Sequence, residues 1–359
     1  MRKCFILLFV LGACSPGKNI SGFDGPLKEG NILDINRKVI AQQFDMDRRG
    51  NAYYAQIDPP DYYGVSIFRV DRDSLNRDSV AAPCPGQRMT LLYAGHPTGM
   101  AVEDAKDGPY IWIGNYASKV RSKSYWQTQT VCRVRYEAGK TFRPEELEHF
   151  WFPHVGDINV ALDRKNDLLA FSCYRVDETE AGIPKDRSRR IRIYRLSEAL
   201  ATPLEEVTLP YPWIRGGEGA PDPADTLEVT CKVHNLGRLE PVAEIGTHTG
   251  GNNPEGINST AWQGFDVDGD RIWFSEGSGK TGAFLTGYDF SGNVVFHRKE
   301  IAIARECPDW KTWGISDSEA ASVENEGVRV WNGRIYLGFF SFRSGDGWRS
   351  NILAYPLPE

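Results

Sequence analysis

The stretch GFDVDGDRIWF, residues 264–274, reads as a β-hairpin: an apolar/polar alternation, a tight Gly-Asp turn and a second strand rich in β-branched and aromatic residues. Comparable stretches occur at residues 43–54, 99–113, 159–171 and 327–337. A third strand pattern follows each of them, and a fourth follows the first four. An internal repeat of this kind predicts an all-β fold, a five-bladed β-propeller of four-stranded antiparallel blades.

The fifth copy has no fourth strand pattern before Glu359. A spare strand pattern at residues 32–40 precedes the first copy, and we expect this N-terminal strand to close the ring by completing the last blade. The interval from residue 160 to residue 265 is longer than the others, so either one blade carries an insertion or a sixth, degenerate blade is present. The loop-like segment GGEGAPDPAD, residues 216–225, favours the insertion.

The first residues resemble a bacterial lipoprotein signal. A basic start precedes a short apolar run that ends in LGAC, residues 11–14, which is similar to a lipobox. The sequence therefore predicts a lipoprotein signal peptide over residues 1–13, lipidation of Cys14, a flexible tether over residues 14–31 and a single propeller domain over residues 32–359. An ordinary signal peptide with an incidental cysteine is the alternative. We expect the lipid to be the sole membrane contact, holding the protein at the bacterial cell envelope, on the outer membrane in a Gram-negative organism.

Composition fits a closed all-β domain, since the 359 residues include 36 Gly, 21 Pro and 12% aromatic residues. The formal net charge is −6 and the pI is near 5.7. Nucleic-acid-binding proteins typically carry a basic surface, so we expect no nucleic-acid partner. We expect a monomer.

Setting aside Cys4 and Cys14 leaves an odd number of cysteines without CxxC spacing, and Cys132 and Cys173 lie in strand patterns where burial is expected.

Polar and aromatic residues concentrate in the loops that should meet at one mouth of the central channel. The ligand-binding candidates are His96, His154, Asp157, Gln263, Glu324, Glu326, Trp126 and Trp348. Tyr116 adds further aromatic surface. Aromatic rings beside carboxylates and amides suit sugar rings, so these residue types predict binding of a glycan or cell-envelope polymer. The alternatives are that the polar residues bond neighbouring blades and that the aromatic residues pack loops or bind a protein.

The same residue types also permit catalysis or the binding of a metal ion. Glu326 with Asp157 could form a carboxylate pair for general acid and base catalysis, which would make the protein a hydrolase or lyase acting on a sugar or lactone. His96, His154, Asp157 and Glu326 could instead hold a divalent ion such as calcium, with metal assistance to that reaction. The sequence contains no recognisable catalytic motif, so catalytic and metal-binding residues stay unassigned and binding is favoured over turnover.

Four aspartates, Asp45, Asp47, Asp266 and Asp268, alternate along strands in a way that superficially resembles a metal-binding loop. They lack the twelve-residue loop and the terminal Glu of an EF-hand. We expect them instead to form hairpin and blade-to-blade hydrogen bonds.

The segments at residues 263–268, 95–100 and 324–328 resemble the repeat starts of helveticin J-like proteins, a five-bladed propeller family named after class III bacteriocins. The resemblance covers most of residues 32–359 and implies five blades and an extracellular or envelope setting. Thr98 departs from the family pattern, which puts the role of His96 in doubt. The Glu-Gly steps at residues 255–256 and 326–327 are similar to the calcium-binding starts of lactonase-type propellers, but that family has six blades.

Overall fold

A computed structural model describes most of the propeller region of the chain. The described residues are 30–33, 41–57, 64–72, 80–81, 86–97, 99–117, 128–153, 155–175, 189–209, 213–214, 226–247, 262–278, 282–301, 324–343 and 347–357. The predicted signal peptide, Cys14 and nearly all of the predicted tether lie outside these residues. Within them, no helix is long and apolar enough to cross a membrane.

Strands dominate these residues. In chain order they are β1 (Gly30–Leu33), β2 (Ala41–Met46), β3 (Ala52–Ile57), β4 (Val65–Val70), β5 (Val80–Ala81), β6 (Arg88–Leu91), β7 (Met100–Ala105), β8 (Gly108–Asn115), β9 (Thr130–Arg135), β10 (Thr141–Phe142), β11 (Glu148–Trp151), β12 (Val155–Asp163), β13 (Leu168–Arg175), β14 (Arg189–Arg195), β15 (Leu204–Thr208), β16 (Trp213–Ile214), β17 (Thr226–Leu227), β18 (Thr230–Asn235), β19 (Ala243–Thr247), β20 (Trp262–Asp268), β21 (Arg271–Ser278), β22 (Gly282–Asp289), β23 (Val294–Ile301), β24 (Glu324–Trp331), β25 (Arg334–Arg343) and β26 (Gly347–Pro356). Helix α1 (Leu196–Ala201) follows β14, and 3-10 turns span Pro144–Glu146 and Leu236–Arg238.

These strands form five antiparallel blades around one axis, which confirms the predicted propeller. Blade 1 contains β2, β3, β4 and β6, blade 2 contains β7, β8, β9 and β11, and blade 3 contains β12, β13, β14 and β19. Blade 4 contains β20 to β23, and blade 5 contains β24, β25, β26 and β1. The first strand of each blade packs against the first strands of both neighbouring blades, so the five inner strands β2, β7, β12, β20 and β24 form a closed ring.

The N-terminal strand closes the ring, as predicted. β1 pairs antiparallel with β26, with Gly30 opposite Leu353 and Leu33 opposite Ser350. It also pairs in parallel with β5 of the blade 1 segment, with Ile32 opposite Val80. The strand begins two residues earlier than the sequence pattern indicated, and residues 34–40 lie outside the described part of the chain. Because β1 contacts segments of the last and first blades, it covers an edge that would otherwise be open.

The long interval before residue 265 is an insertion in blade 3, between β14 and β19, rather than a sixth blade. Its hairpin of β15 and β18 extends blade 2, because β18 pairs in parallel with β11, with His234 opposite Phe150. Residues 216–225 lie outside the described residues. The insertion therefore ties blade 3 to the outer edge of blade 2.

Alternating side chains of each inner strand pack between blades. Met100 and Val102 of blade 2 lie in one buried cluster with Ile67 and Leu91 of blade 1. In the next interface the rings of Trp112 and Phe150 lie 4.6 Å apart. Burial of such side chains contributes about 1.5–3 kcal/mol each, which makes the interfaces between blades the main source of stability. Cys132, Cys173 and Cys231 are buried thiols outside any disulfide, and the burial of the first two confirms the expectation from the strand pattern.

Candidate functional site

Within the described residues, a β-bulge interrupts four of the five inner strands near the predicted channel mouth. The pairing shifts register between Ala41 and Gln43, Gly156 and Asn159, Trp262 and Gly264, and Asn325 and Gly327. A bulge leaves one extra residue unpaired and re-aims its side chain. The extra residue is Gln42 in blade 1, Gln263 in blade 4 and Glu326 in blade 5, and it falls within residues 157–158 in blade 3. We call these the bulge positions.

The residue after each bulge position, and Gly99 in blade 2, form what we call the channel floor: Gln43, Gly99, Asn159, Gly264 and Gly327. All five are buried. Gln43 Nε2 donates to the backbone carbonyl of Gln263 at 2.7 Å and also to that of Glu326, so one amide links blade 1 to blades 4 and 5.

Glycine gives this amide and the neighbouring strands the space that they occupy. A Cβ on Gly327 would lie 3.0 Å from Gln43 Oε1, and a Cβ on Gly99 would lie 2.7 Å from the Cβ of Asn159. The floor is therefore filled, and a ligand entering from the mouth would rest on it.

Glu326 forms a carboxyl pair with Glu324 at the start of β24. Glu326 is only 2% exposed, and Glu324 is half-buried. Burial, followed by the hydrogen bond to Glu324 and the charge of Glu324, holds the pKa of Glu326 well above its usual range. Glu326 therefore favours its protonated form, in hydrogen-bond contact with Glu324. The sequence indicated Asp157 as one possible partner of Glu326; the side chain of Asp157 lies outside the described part of the structure, so that pair stays a prediction.

Two buried amides beside this pair have unused hydrogen-bonding capacity. Gln42 is 6% exposed and Asn325 is 0% exposed. Within the described structure, Gln42 Oε1 and both polar side-chain atoms of Asn325 have no hydrogen-bond partner. Leaving a buried polar group unpaired costs about 1–3 kcal/mol, so such groups commonly mark a place where something else binds.

The structure describes the other predicted site residues less completely. His96 is half-buried in the connection from β6 to β7. The backbones of Asp157 and Trp348 lie in β12 and β26, but nothing is described of their side chains. His154 and Trp126 lie outside the described residues. The structure thus places Gln263, Glu324 and Glu326 around the floor, while the roles of the remaining candidates stay predictions. No group of three or more potential metal ligands occurs within the ranges described.

Tyr116 does not provide the exposed aromatic surface that the sequence suggested. It is 2% exposed and packs against Leu209, Cys231 and Val233 of the blade 3 insertion. Its φ of 46° and the φ of 61° at Tyr93 place both residues in the left-handed region, which costs non-glycine residues about 1–3 kcal/mol. The backbone N–H of Ala117 donates to the carbonyl of Tyr93 at 2.9 Å, so these two strained loops are joined.

Below the floor, three charged side chains form what we call the axial clasp: Arg329, Asp45 and Asp266. Arg329 Nη1 donates to Asp266 Oδ1 at 2.8 Å and to the carbonyl of Leu162 at 2.9 Å. Arg329 Nε lies 2.6 Å from Asp45 Oδ1, a charge contact in which the N–H is not directed at the oxygen. Asp45 Oδ2 accepts from the backbone N–H of Val102 at 2.5 Å. The clasp therefore joins all five blades.

The aspartates of the clasp confirm the expectation of blade-to-blade hydrogen bonds. Asp266 Oδ2 also accepts from the backbone N–H of Val330, at 2.6 Å, which links blade 4 to blade 5. Burial raises the pKa of Asp266 to about 7, against the opposing effect of Arg329. Asp47 serves its own hairpin, since it accepts from the N–H groups of Arg49 and Asn51. No comparable sequence pattern indicated a role for Arg329.

No protein-family model matches the chain, and no curated protein sequence matches it. Among solved structures, the tail fiber of Staphylococcus aureus phage P68 is similar over 93% of this chain, with 13% identity and a TM-score of 0.54. The fold is shared. This chain spans about half of the tail fiber, 54% of its length. A GH43_1 enzyme from Xanthomonas citri, solved with xylose, is 13% identical over 90% of this chain and 89% of its own, with a TM-score of 0.45. The helveticin J-like assignment stays a prediction.

Proposed function

We propose that the protein binds a glycan or cell-envelope polymer at the mouth of its propeller. The observation that carries this proposal is the set of polar groups at the bulge positions, which converge from several blades above a filled floor. Gln42 and Asn325 add buried hydrogen-bonding atoms without a partner in the described structure. Unused polar capacity on the rigid frame of the blades suits recognition of a ligand rich in hydroxyl groups.

Turnover of the same ligand is the second candidate function. The raised pKa of Glu326 favours a protonated acid, which general-acid catalysis of glycosidic or lactone cleavage requires. Glu324 is too close to serve as the second carboxylate, because the two carboxyl groups of a glycosidase stand about 5–9.5 Å apart whereas these two share a hydrogen bond. Cleavage would therefore need Asp157 or another group as its partner, and binding is the simpler account.

A glycan array with wild-type protein and Gln42→Ala tests the binding site. We expect Gln42→Ala to weaken binding about tenfold, the effect of one lost hydrogen bond of about 1.4 kcal/mol. Glu206→Ala, which alters an exposed residue of β15, is the matched control and should bind as wild type. Equal binding by wild type and Gln42→Ala, at equal melting temperature, would move the site elsewhere.

The same array distinguishes binding from turnover. Glu326→Gln keeps a neutral, hydrogen-bonding side chain at the bulge position but cannot donate a proton to a leaving group. Release of sugar from any array member by wild type, and its loss in Glu326→Gln, would establish the enzymatic candidate instead.

The envelope location is a further part of the proposal, and it depends on the lipobox-like segment at residues 11–14. Two acyl chains on Cys14 would give stable anchoring without a membrane-spanning helix. We expect mass spectrometry to find an acylated Cys14 at the N-terminus of the mature protein, and Cys14→Ser to release the protein from the membrane fraction. Recovery of soluble, unacylated wild-type protein would contradict this anchor.

A further inference from the structure

We propose that the glycan recognised at the mouth carries free amino groups, so that a cationic amino sugar sits on the floor beside Glu324, Glu326 and Gln42. This inference rests on the proposed glycan-binding function and specifies its ligand. Two features of the site support it: the polar side-chain atoms that it offers are hydrogen-bond acceptors, and its charge is negative.

The carboxyl pair provides the negative charge. Burial and the neighbouring Glu324 raise the pKa of Glu326, so Glu326 favours its protonated form and hydrogen-bonds to Glu324. An ammonium group can take the place of that proton: the ligand brings one positive charge, Glu326 releases one proton to solvent, and the charge of the occupied pair is unchanged. Such an exchange lets a buried site accept a cation without leaving an uncompensated charge, which would be costly.

Gln42 provides a third acceptor, from the neighbouring blade. Its Oε1 is buried and has no partner within the described residues. Gln42 occupies the same bulge position in blade 1 as Glu326 does in blade 5, and the adjacent Gln43 amide contacts the carbonyl of Glu326. The repeat therefore places Gln42 and Glu326 at equivalent positions of neighbouring blades, above the floor. An ammonium has three donors and no acceptor, which matches the acceptors that these two blades offer.

Among the described residues, the bulge positions offer an anionic polymer no counter-charge. The bulge positions Gln42, Gln263 and Glu326 are uncharged or acidic, and neither residue 157 nor residue 158 is basic. Arg329, the basic member of the clasp, lies below the floor and is paired with two aspartates. A uronate or phosphate group would meet the carboxyl pair with like charge, which disfavours binding.

Isothermal titration calorimetry with three tetrasaccharides tests the inference. The probes are β-1,4-linked glucosamine, its fully N-acetylated counterpart and an α-1,4-linked galacturonate, each titrated into the full chain. We expect glucosamine to bind at least about tenfold more tightly than the acetylated form, since one charge-assisted contact contributes about 1.5–3 kcal/mol. Titrations in two buffers of different ionisation enthalpy should show about one proton released per ligand, the proton of Glu326.

Variants separate a ligand site from a structural effect. Glu324→Gln should remove most of the preference for glucosamine and the proton release, whereas Glu206→Gln should change neither. Gln42→Ala is the second variant, used if Glu324→Gln melts earlier than wild type, and should weaken glucosamine binding about tenfold. Equal or tighter binding of the acetylated or galacturonate oligomer would overturn the inference while leaving glycan binding intact. If none of the three probes binds, the inference is also overturned. The glycan array then tests the proposed glycan binding separately.

Discussion

Arg329→Met is expected to lower the free energy of unfolding by about 3–5 kcal/mol, because it removes the only basic member of the axial clasp and leaves two buried carboxylates with only the weaker effect of Arg164 on Asp45. Asp45 and Asp266 are 1% and 2% exposed, so water cannot replace the guanidinium. The hydrogen bond to the carbonyl of Leu162 is lost as well. Thermal and urea unfolding measure the change, and we expect a melting temperature lower by roughly 5 °C.

Two controls show whether charge is responsible. Arg49→Met alters an exposed arginine and should leave the melting temperature unchanged. Adding Asp45→Asn and Asp266→Asn to Arg329→Met removes the uncompensated charges and should recover part of the lost stability. A melting temperature equal to that of wild type for Arg329→Met alone, or a further loss of stability in the triple variant, would contradict the stabilising role of the clasp.

Deleting residues 1–33 is expected to open the ring. Four residue pairs join β1 to β26, and each lost backbone hydrogen bond costs about 1 kcal/mol, so we expect a loss of about 4 kcal/mol. The edge of β26 would then be free to pair with other chains, and concentration-dependent association should accompany the lower melting temperature.

Deletion of residues 1–29 is the matched control, since it keeps β1. We expect that protein to unfold as wild type does in urea and to remain monomeric in analytical ultracentrifugation. If both deletions unfold alike, the N-terminal strand does not hold the ring closed.

The architecture was predictable because each hairpin carries its own local signal. At the fifth repeat, Asn332 and Gly333 have φ values of 50° and 72°, the left-handed conformations that Asn-Gly turns favour. The alternation on either side then assigns one set of residues to the interfaces between blades. The missing fourth strand of the last copy and the spare strand at the start likewise predicted ring closure.

The contacts of the site could not be predicted in the same way. A bulge adds one unpaired residue and leaves no periodic mark in the sequence, so the contact of Glu326 with Glu324 was hidden. Tyr116 looked like an exposed loop aromatic because the hairpin that covers it comes from a different blade, almost a hundred residues later. Arg329 lies between two valines on an inner strand, and only the closed ring brings two aspartates to it.

A crystal structure of the protein with its best array ligand tests the central claim most directly. We predict density for a sugar ring on the floor, with its polar groups within hydrogen-bond distance of Gln42 and of the Glu324–Glu326 pair. A ligand bound on the outer strands of the blades or on the β15 edge, with the mouth occupied only by water, would contradict the claim that the bulge positions form the binding site.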